Sequence, residues 1–380
     1  MACAASRRPS GIAWRPSNYR PALSESAGED NVPIAFIREP QPAAITEYHT
    51  LLEKAVAVFG QLPGLQAICQ YGSIGNPGIS DLDLLLVYED DAPPSVESWH
   101  KRFTERERYL FLHAPAAISN SLFTKITRLT TFPDPQCLAG SVPAIQNPGK
   151  STAGAIAILS ALDHSLRLAV AIENQLAIGV IKQRPALCEL HSIRHDLGLA
   201  GLRDNGAGQR LVAGIEQLRA GWFERDRTER RRQLADLLVQ ASTVERHILS
   251  AITDWAQTSW TGKTPPPAES LQSNLPGISF ESSPGALEIQ ASRLTRWGVS
   301  ELPGSRLRQI FHSRFGGLTV RLPAPLIAVL AGPPTFLKPD LAETIQSRRE
   351  LAQRYRSFVE RLGGGFGTLQ LPPLQAADRR

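Results

Sequence analysis

Cysteine is scarce in this chain of 380 residues: there are four, Cys3, Cys69, Cys137 and Cys188, far apart and never in Cys-x-x-Cys spacing. That excludes a zinc ribbon and a disulfide framework. No stretch approaches the ~18 consecutive apolar residues that span a membrane. The nearest candidate, Leu322 to Leu330, is short and holds Pro323 and Pro325. The N-terminus has no apolar signal core. It also has no acid before Glu25, although it carries Arg7, Arg8, Arg15 and Arg20. Pro9, Trp14, Pro16 and Pro21 spoil an amphipathic presequence helix there, so a flexible tail is expected. There is no internal repeat, and no long basic stripe interleaved with aromatics of the kind that binds RNA. These absences point to a cytoplasmic protein without a membrane partner.

What is present describes a globular chain. The hydrophobic fraction is 42% and the charged fraction 20%, and the length suits two or three domains. The formal charge is +5 and the pI about 9.2. This weakly favours a polyanionic partner, although much of the excess sits at the two ends.

The most informative stretch runs from Tyr71 through Gly72, Ser73, Ile74, Gly75, Asn76, Pro77, Gly78, Ile79 and Ser80 to Asp81, Leu82 and Asp83. It reads as an apolar strand (Leu65 to Tyr71), a Gly-Ser turn, a short Gly/Pro loop, and a strand that opens with Asp-x-Asp and continues to Val87. Residues two apart on a strand share a face, so Asp81 and Asp83 are expected side by side. Two like charges beside a buried apolar run need compensation. Mg²⁺ (or Mn²⁺) supplies it well, because Mg²⁺ prefers carboxylate oxygens together with substrate phosphates. Gly72 lets the backbone turn sharply. The amides after it can form an anion-binding nest, to which the Ser73 hydroxyl adds a donor.

This arrangement resembles the DNA polymerase β-like nucleotidyltransferase superfamily, whose signature is Gly-Ser, a variable loop, and Asp-x-Asp on the next strand. The resemblance covers roughly a quarter of the chain, from a helix at Tyr48 to Phe59 to a strand ending near His113. It implies metal-dependent transfer of a nucleoside monophosphate from a nucleoside triphosphate to an acceptor, with Asp81 and Asp83 holding two metal ions and Gly72 and Ser73 holding phosphates. The acceptor is unidentified; a small molecule or protein is favoured over RNA. The family supplies a third carboxylate from a neighbouring strand. The expected strand here, Arg108 to His113, contains none. Glu107 at its entry is the first candidate, with His113 and Asp134 as the others. Two alternatives stay open: a degenerate fold of this type that binds nucleotide or metal without transfer, and a helical interaction scaffold with a vestigial α/β domain.

The expected fold class is α+β, a small mixed sheet with flanking helices followed by a mostly helical domain. The expected divisions are a tail over 1–35, the nucleotidyltransferase-like domain over 36–150, a helical bundle over 151–258, a Pro/Ser/Gly-rich linker or loop over 259–285, and a mixed segment over 286–380. A helix over Val96 to Glu105 precedes the Arg108 to His113 strand. The last long helix, Pro339 to Leu362, starts at Pro339-Asp340 and stops at Gly363-Gly364-Gly365. His191 and His195 share a helix face, but Asp196 is one position off it, so zinc is not expected there.

Overall fold

The computed structural model describes residues 34–95, 97–131, 135–262, 271–273, 275, 277–285, 287–292, 317–369 and 371–376. The fold is α+β. After β1 (Ala35–Ile37), α1 spans Ile45–Phe59 and turns Tyr48, Leu51, Ala55 and Phe59 inward at helical spacing. The expected pair of strands follows as β2 (Leu65–Tyr71) and β3 (Asp83–Tyr88). They are antiparallel, with Tyr71 opposite Asp83. β3 is buried from Leu84 to Tyr88, as its continuous apolar run requires.

The next stretch corrects the sequence reading. Residues Arg108 to His113 do not form a strand. Glu105–Phe111 is a helix, α2, and among the described residues before it the region expected as a helix from Val96 holds a 3₁₀ turn at Trp99–Arg102. A capping box decides it: the Thr104 side chain accepts from the Glu107 amide, and the Glu107 carboxylate accepts from the Thr104 amide. The strand beside β3 is instead β4 (Ala116–Ser119), which runs parallel to it with Val87 opposite Ile118. Short helices α3 (Asn120–Phe123) and α4 (Ile126–Leu129) follow. Then β5 (Gln136–Gly140) pairs antiparallel with β2. The sheet order is β4-β3-β2-β5.

The helical body comprises α5 (Lys150–Ile178), α6 (Gln183–Leu199), α7 (Gly206–Ala220) and α8 (Arg227–Ser259). A short strand, β6 (Val180–Lys182), pairs with β1. α5 is long and apolar enough to cross a membrane, but two thirds of its most apolar window is buried inside the fold. The stretch expected as a linker over 259–285 holds strands β7 (Leu271–Ser273) and β8 (Ile278–Ser283). With β9 (Glu288–Ala291) and β10 (Leu318–Pro323), β8 makes a three-stranded sheet. α9 (Ala324–Leu330), α10 (Pro339–Leu362) and β11 (Leu374–Ala376) complete the described elements. α10 keeps its expected bounds and stops at Gly363, whose φ is +66°.

Two hydrophobic cores result, and α10 belongs to both. Its first turns place Leu341, Ala342 and Ile345 in the core of the helical body. Its later turns place Leu351, Tyr355, Phe358 and Val359 in the core of the four-stranded sheet. Between these two stretches Arg348 donates to Asp163 Oδ2 on α5 at 2.6 Å and to the Leu129 carbonyl at 2.7 Å. Both charged residues are buried.

Deeper in the helical body, His164 Nδ1 lies 2.5 Å from Asp196 Oδ2, and Nε2 lies 3.1 Å from Ser192 Oγ. The Ser192 hydroxyl donates to the Glu189 carbonyl. Nε2 is therefore the donor toward Ser192. Burial disfavours charge on the ring, but the bond and charge of Asp196 prevail and raise the His164 pKa; burial also raises that of Asp196. The serine is accordingly not activated as a nucleophile.

Removing one partner of a buried ion pair leaves a stranded charge. Arg348→Met is expected to lower unfolding free energy by about 3–5 kcal/mol, read by urea denaturation. The double variant Arg348→Met, Asp163→Leu is expected to recover most of that loss. Equal losses in the single and double variants would show that the pair does not join α5 to α10.

Candidate functional site

The loop between β2 and β3 is built by close approach. Gly72 has φ +76°, a conformation that L side chains rarely adopt, and a Cβ there would lie 3.4 Å from Asp83 Oδ2. Gly78 has φ +86°, and a Cβ there would meet the Gln41 carbonyl oxygen at 2.4 Å. The amides of Ile79 and Ser80 donate to the Asn76 carbonyl, and the Asn76 amide donates to Ser80 Oγ. Tyr48 Oη accepts from the Gly78 amide and donates to the Ser80 carbonyl at 2.6 Å. Tyr109 Oη donates to the Gly78 carbonyl. The Leu82 amide donates to the Leu110 carbonyl, so α2 fixes the loop's exit.

The helical body holds the same loop from the other side. Arg184, in the first turn of α6, is almost fully buried. It donates to the carbonyls of Ile79 at 3.0 Å and Ser80 at 2.9 Å, and also to the Tyr109 carbonyl. Its guanidinium stacks on the Tyr109 ring at 4.0 Å. Arg219 of α7 donates to Ser80 Oγ at 3.2 Å and to the Leu187 carbonyl at 2.7 Å. Cys188 Sγ donates to the Ile79 carbonyl. Burial, reinforced by the Asp81 charge, pushes that thiol up to about 12, so it stays protonated. Ile79 itself is buried in the helical core.

Asp81 and Asp83 stand at the end of this clamped loop. Asp83 is the first paired residue of β3; Asp81 precedes the strand. Burial and the neighbouring Asp81 charge push Asp83 up to about 8. The same pair of charges, with burial first, holds the Tyr71 hydroxyl well above its ordinary pKa. Gly72 and Ser73 are exposed beside them. The amides of Ser73, Ile74 and Gly75 donate no hydrogen bond among the described residues.

The structure therefore brings together Gly72, Ser73, Asp81 and Asp83. His113 joins them: its Nε2 lies 3.9 Å from Asp81 Oδ2, and its side chain is exposed. Glu107 does not join them through a strand. It sits in the first turn of α2, where Lys54 Nζ lies 2.8 Å from both of its carboxylate oxygens and the Thr104 cap uses the rest. Burial opposes this, but Lys54 and Thr104 together hold Glu107 below the ordinary carboxylate pKa. Its carboxylate is engaged by that ion pair and that helix cap. Asp134 lies outside the described residues. Among the described residues no group of three or more His, Cys, Asp or Glu forms a complete metal shell.

Arg184 and Arg219 were not singled out from sequence, yet a signal existed. Arg184 shares the phase of Leu187 and Leu190, and Arg219 that of Ile215 and Trp222. A cation on the apolar face of a helix must be buried against acceptors.

The raised Asp83 pKa has a signed consequence. Between the ordinary value 3.8 and about 8, the folded state holds a proton that the unfolded state has lost. Stability from this group is therefore full below 3.8 and declines as pH rises to about 8. Asp83→Asn is expected to flatten that decline and to be more stable than the native chain above pH 8, with little difference at acid pH. Chemical denaturation across the pH range reads this; parallel curves for the two proteins would contradict it.

No protein-family model, no curated protein and no solved structure matches this chain.

Proposed function

We propose that the sheet end bearing Gly72, Ser73, Asp81 and Asp83 is a metal-dependent nucleoside-triphosphate site, and that the protein transfers a nucleoside monophosphate from it to an acceptor. One observation carries the reading: the Asp83 carboxylate, held beside Asp81 and pushed up to about 8, lies next to an exposed Gly-Ser turn with unused amides. A rigid loop that forces two carboxylates together is costly unless a ligand uses them.

The residues fit Mg²⁺, which is commonly bound by one or two protein carboxylates with phosphate oxygens and water completing its shell. A divalent ion bound there would neutralise charge on the triphosphate. The chain's own groups do the rest. Asp81 and Asp83 offer carboxylate oxygens, and Arg184 holds the carbonyls of Ile79 and Ser80 just before Asp81. Gly72 allows close backbone approach, and the Ser73 hydroxyl and amides donate to phosphate oxygens. The acceptor's nucleophilic atom bonds to the α-phosphorus while the bond to the β-phosphate bridge breaks, and pyrophosphate leaves. His113 Nε2 is the titratable group beside Asp81 that can take the acceptor's proton. Catalysis rests on positioning and charge neutralisation. The acceptor class favoured is a small molecule or protein.

A second reading, binding without transfer, is favoured by the lack of a third metal-ligating carboxylate among the described residues. Mg²⁺ with a nucleoside triphosphate is expected to raise the melting temperature, and Asp81→Asn with Asp83→Asn to abolish that rise while the chain stays folded. Pyrophosphate release from each triphosphate, with and without cell extract as a source of acceptor, separates the readings. Transfer predicts release lost in the Asp variants, reduced in His113→Gln, and unaffected by Glu107→Gln apart from stability. A melting shift without release leaves the binding-only reading. Release that survives both Asp substitutions overturns the site.

A further inference from the structure

The α5–α10 contact holds more positive charge than its acids balance. Arg348 is matched by Asp163, the buried carboxylate there. Arg349, the next residue, donates among the described residues only to the carbonyls of Gly332 and Val329. Arg167, one turn along α5 from Asp163, donates to the Leu371 carbonyl at 2.5 Å. Its Nε is buried with no partner among the described residues. Arg356, two turns along α10 from Arg348, has no hydrogen bond or ion pair among the described residues.

Arg167 and Arg356 line one cavity, of about 590 Å³. Val359 of α10 and the segment after that helix, including Phe366, Thr368, Leu369 and Leu371, form most of its remaining wall. Glu360 also lines it, exposed to solvent. The size is that of a small-molecule site. Two guanidinium groups, a hydroxyl and an apolar wall are the lining expected for an anionic head on a less polar body. Burial disfavours the charge on Arg167; Asp163 opposes that effect and Arg356 adds to it. An anion between the two arginines would relieve both the burial and the repulsion.

We propose that this cavity binds a small phosphomonoester, with the phosphoryl group held between Arg167 and Arg356 and the apolar body against Phe366 and Leu371. The site uses neither Asp81 nor Asp83, so it stands or falls apart from the nucleotide reading.

Inorganic phosphate and phenyl phosphate, titrated calorimetrically into the full chain with a metal chelator present, test it. The expected result is saturable binding of both, tighter for phenyl phosphate, and melting temperatures that rise with each. Arg356→Gln is expected to weaken binding by about tenfold or more, because one charge-assisted hydrogen-bonding partner is lost. Arg356→Lys should lose less, and Asp81→Asn with Asp83→Asn should lose nothing. Arg356 is half-exposed, so its variants are expected to fold; circular dichroism checks this. Phosphate also stabilises proteins by exclusion from their surfaces, but exclusion acts equally on native chain and variant. An equal response in the native chain and Arg356→Gln, or no saturable binding in either, overturns the proposal.

Discussion

One buried guanidinium sets the geometry on which the rest depends. Arg184 leaves α6 and closes on the carbonyls of Ile79 and Ser80, with Tyr109 stacked over it. Those carbonyls immediately precede Asp81. The contact ties the helical body to the loop that aims both carboxylates. Without it, nothing on the helical side would hold Ser80, except the Arg219 bond to its hydroxyl. Buried backbone carbonyls need donors, and a buried arginine needs acceptors. Each satisfies the other, and the loop gains a single conformation.

The division of labour between the two cores follows. The sheet core supplies the fixed platform of β2 and β3, and the helical core supplies the clamp. α10 spans both, with the Arg348–Asp163 pair between its two buried stretches. Relative movement of the cores would therefore disturb the loop, the Asp pair and the cavity beside Arg167 alike. Neither Arg184 nor Arg219 donates to Asp81 or Asp83 among the described residues.

Much of this was legible where the information is local. The bounds of β2, the Gly72 turn and the Pro339-to-Gly363 limits of α10 all follow from apolar runs and from Gly and Pro punctuation, whereas β3 starts at Asp83 and not at Asp81. The error at Arg108 to His113 arose because a short apolar run suits strand and helix alike. Thr104 with Glu107 is a capping box written in the sequence, and it outweighs that run. Glu107 was drawn toward the site only by the mistaken strand; Lys54, 53 positions earlier, takes it instead. Arg184 with Ile79, 105 positions apart, and α10 over a sheet formed near the N-terminus are long-range pairings. No local pattern encodes which partner a buried arginine finds.

We propose that the fold holds Asp81 and Asp83 together against their own repulsion, for the use of a cation. Carbon-13 NMR of aspartate-labelled protein measures this directly, by following the Asp83 carboxyl resonance with pH in the presence and absence of Mg²⁺. The account predicts a metal-free midpoint near the raised value of about 8 and a marked fall on adding Mg²⁺. Titration at an ordinary aspartate value, unmoved by Mg²⁺, would contradict it.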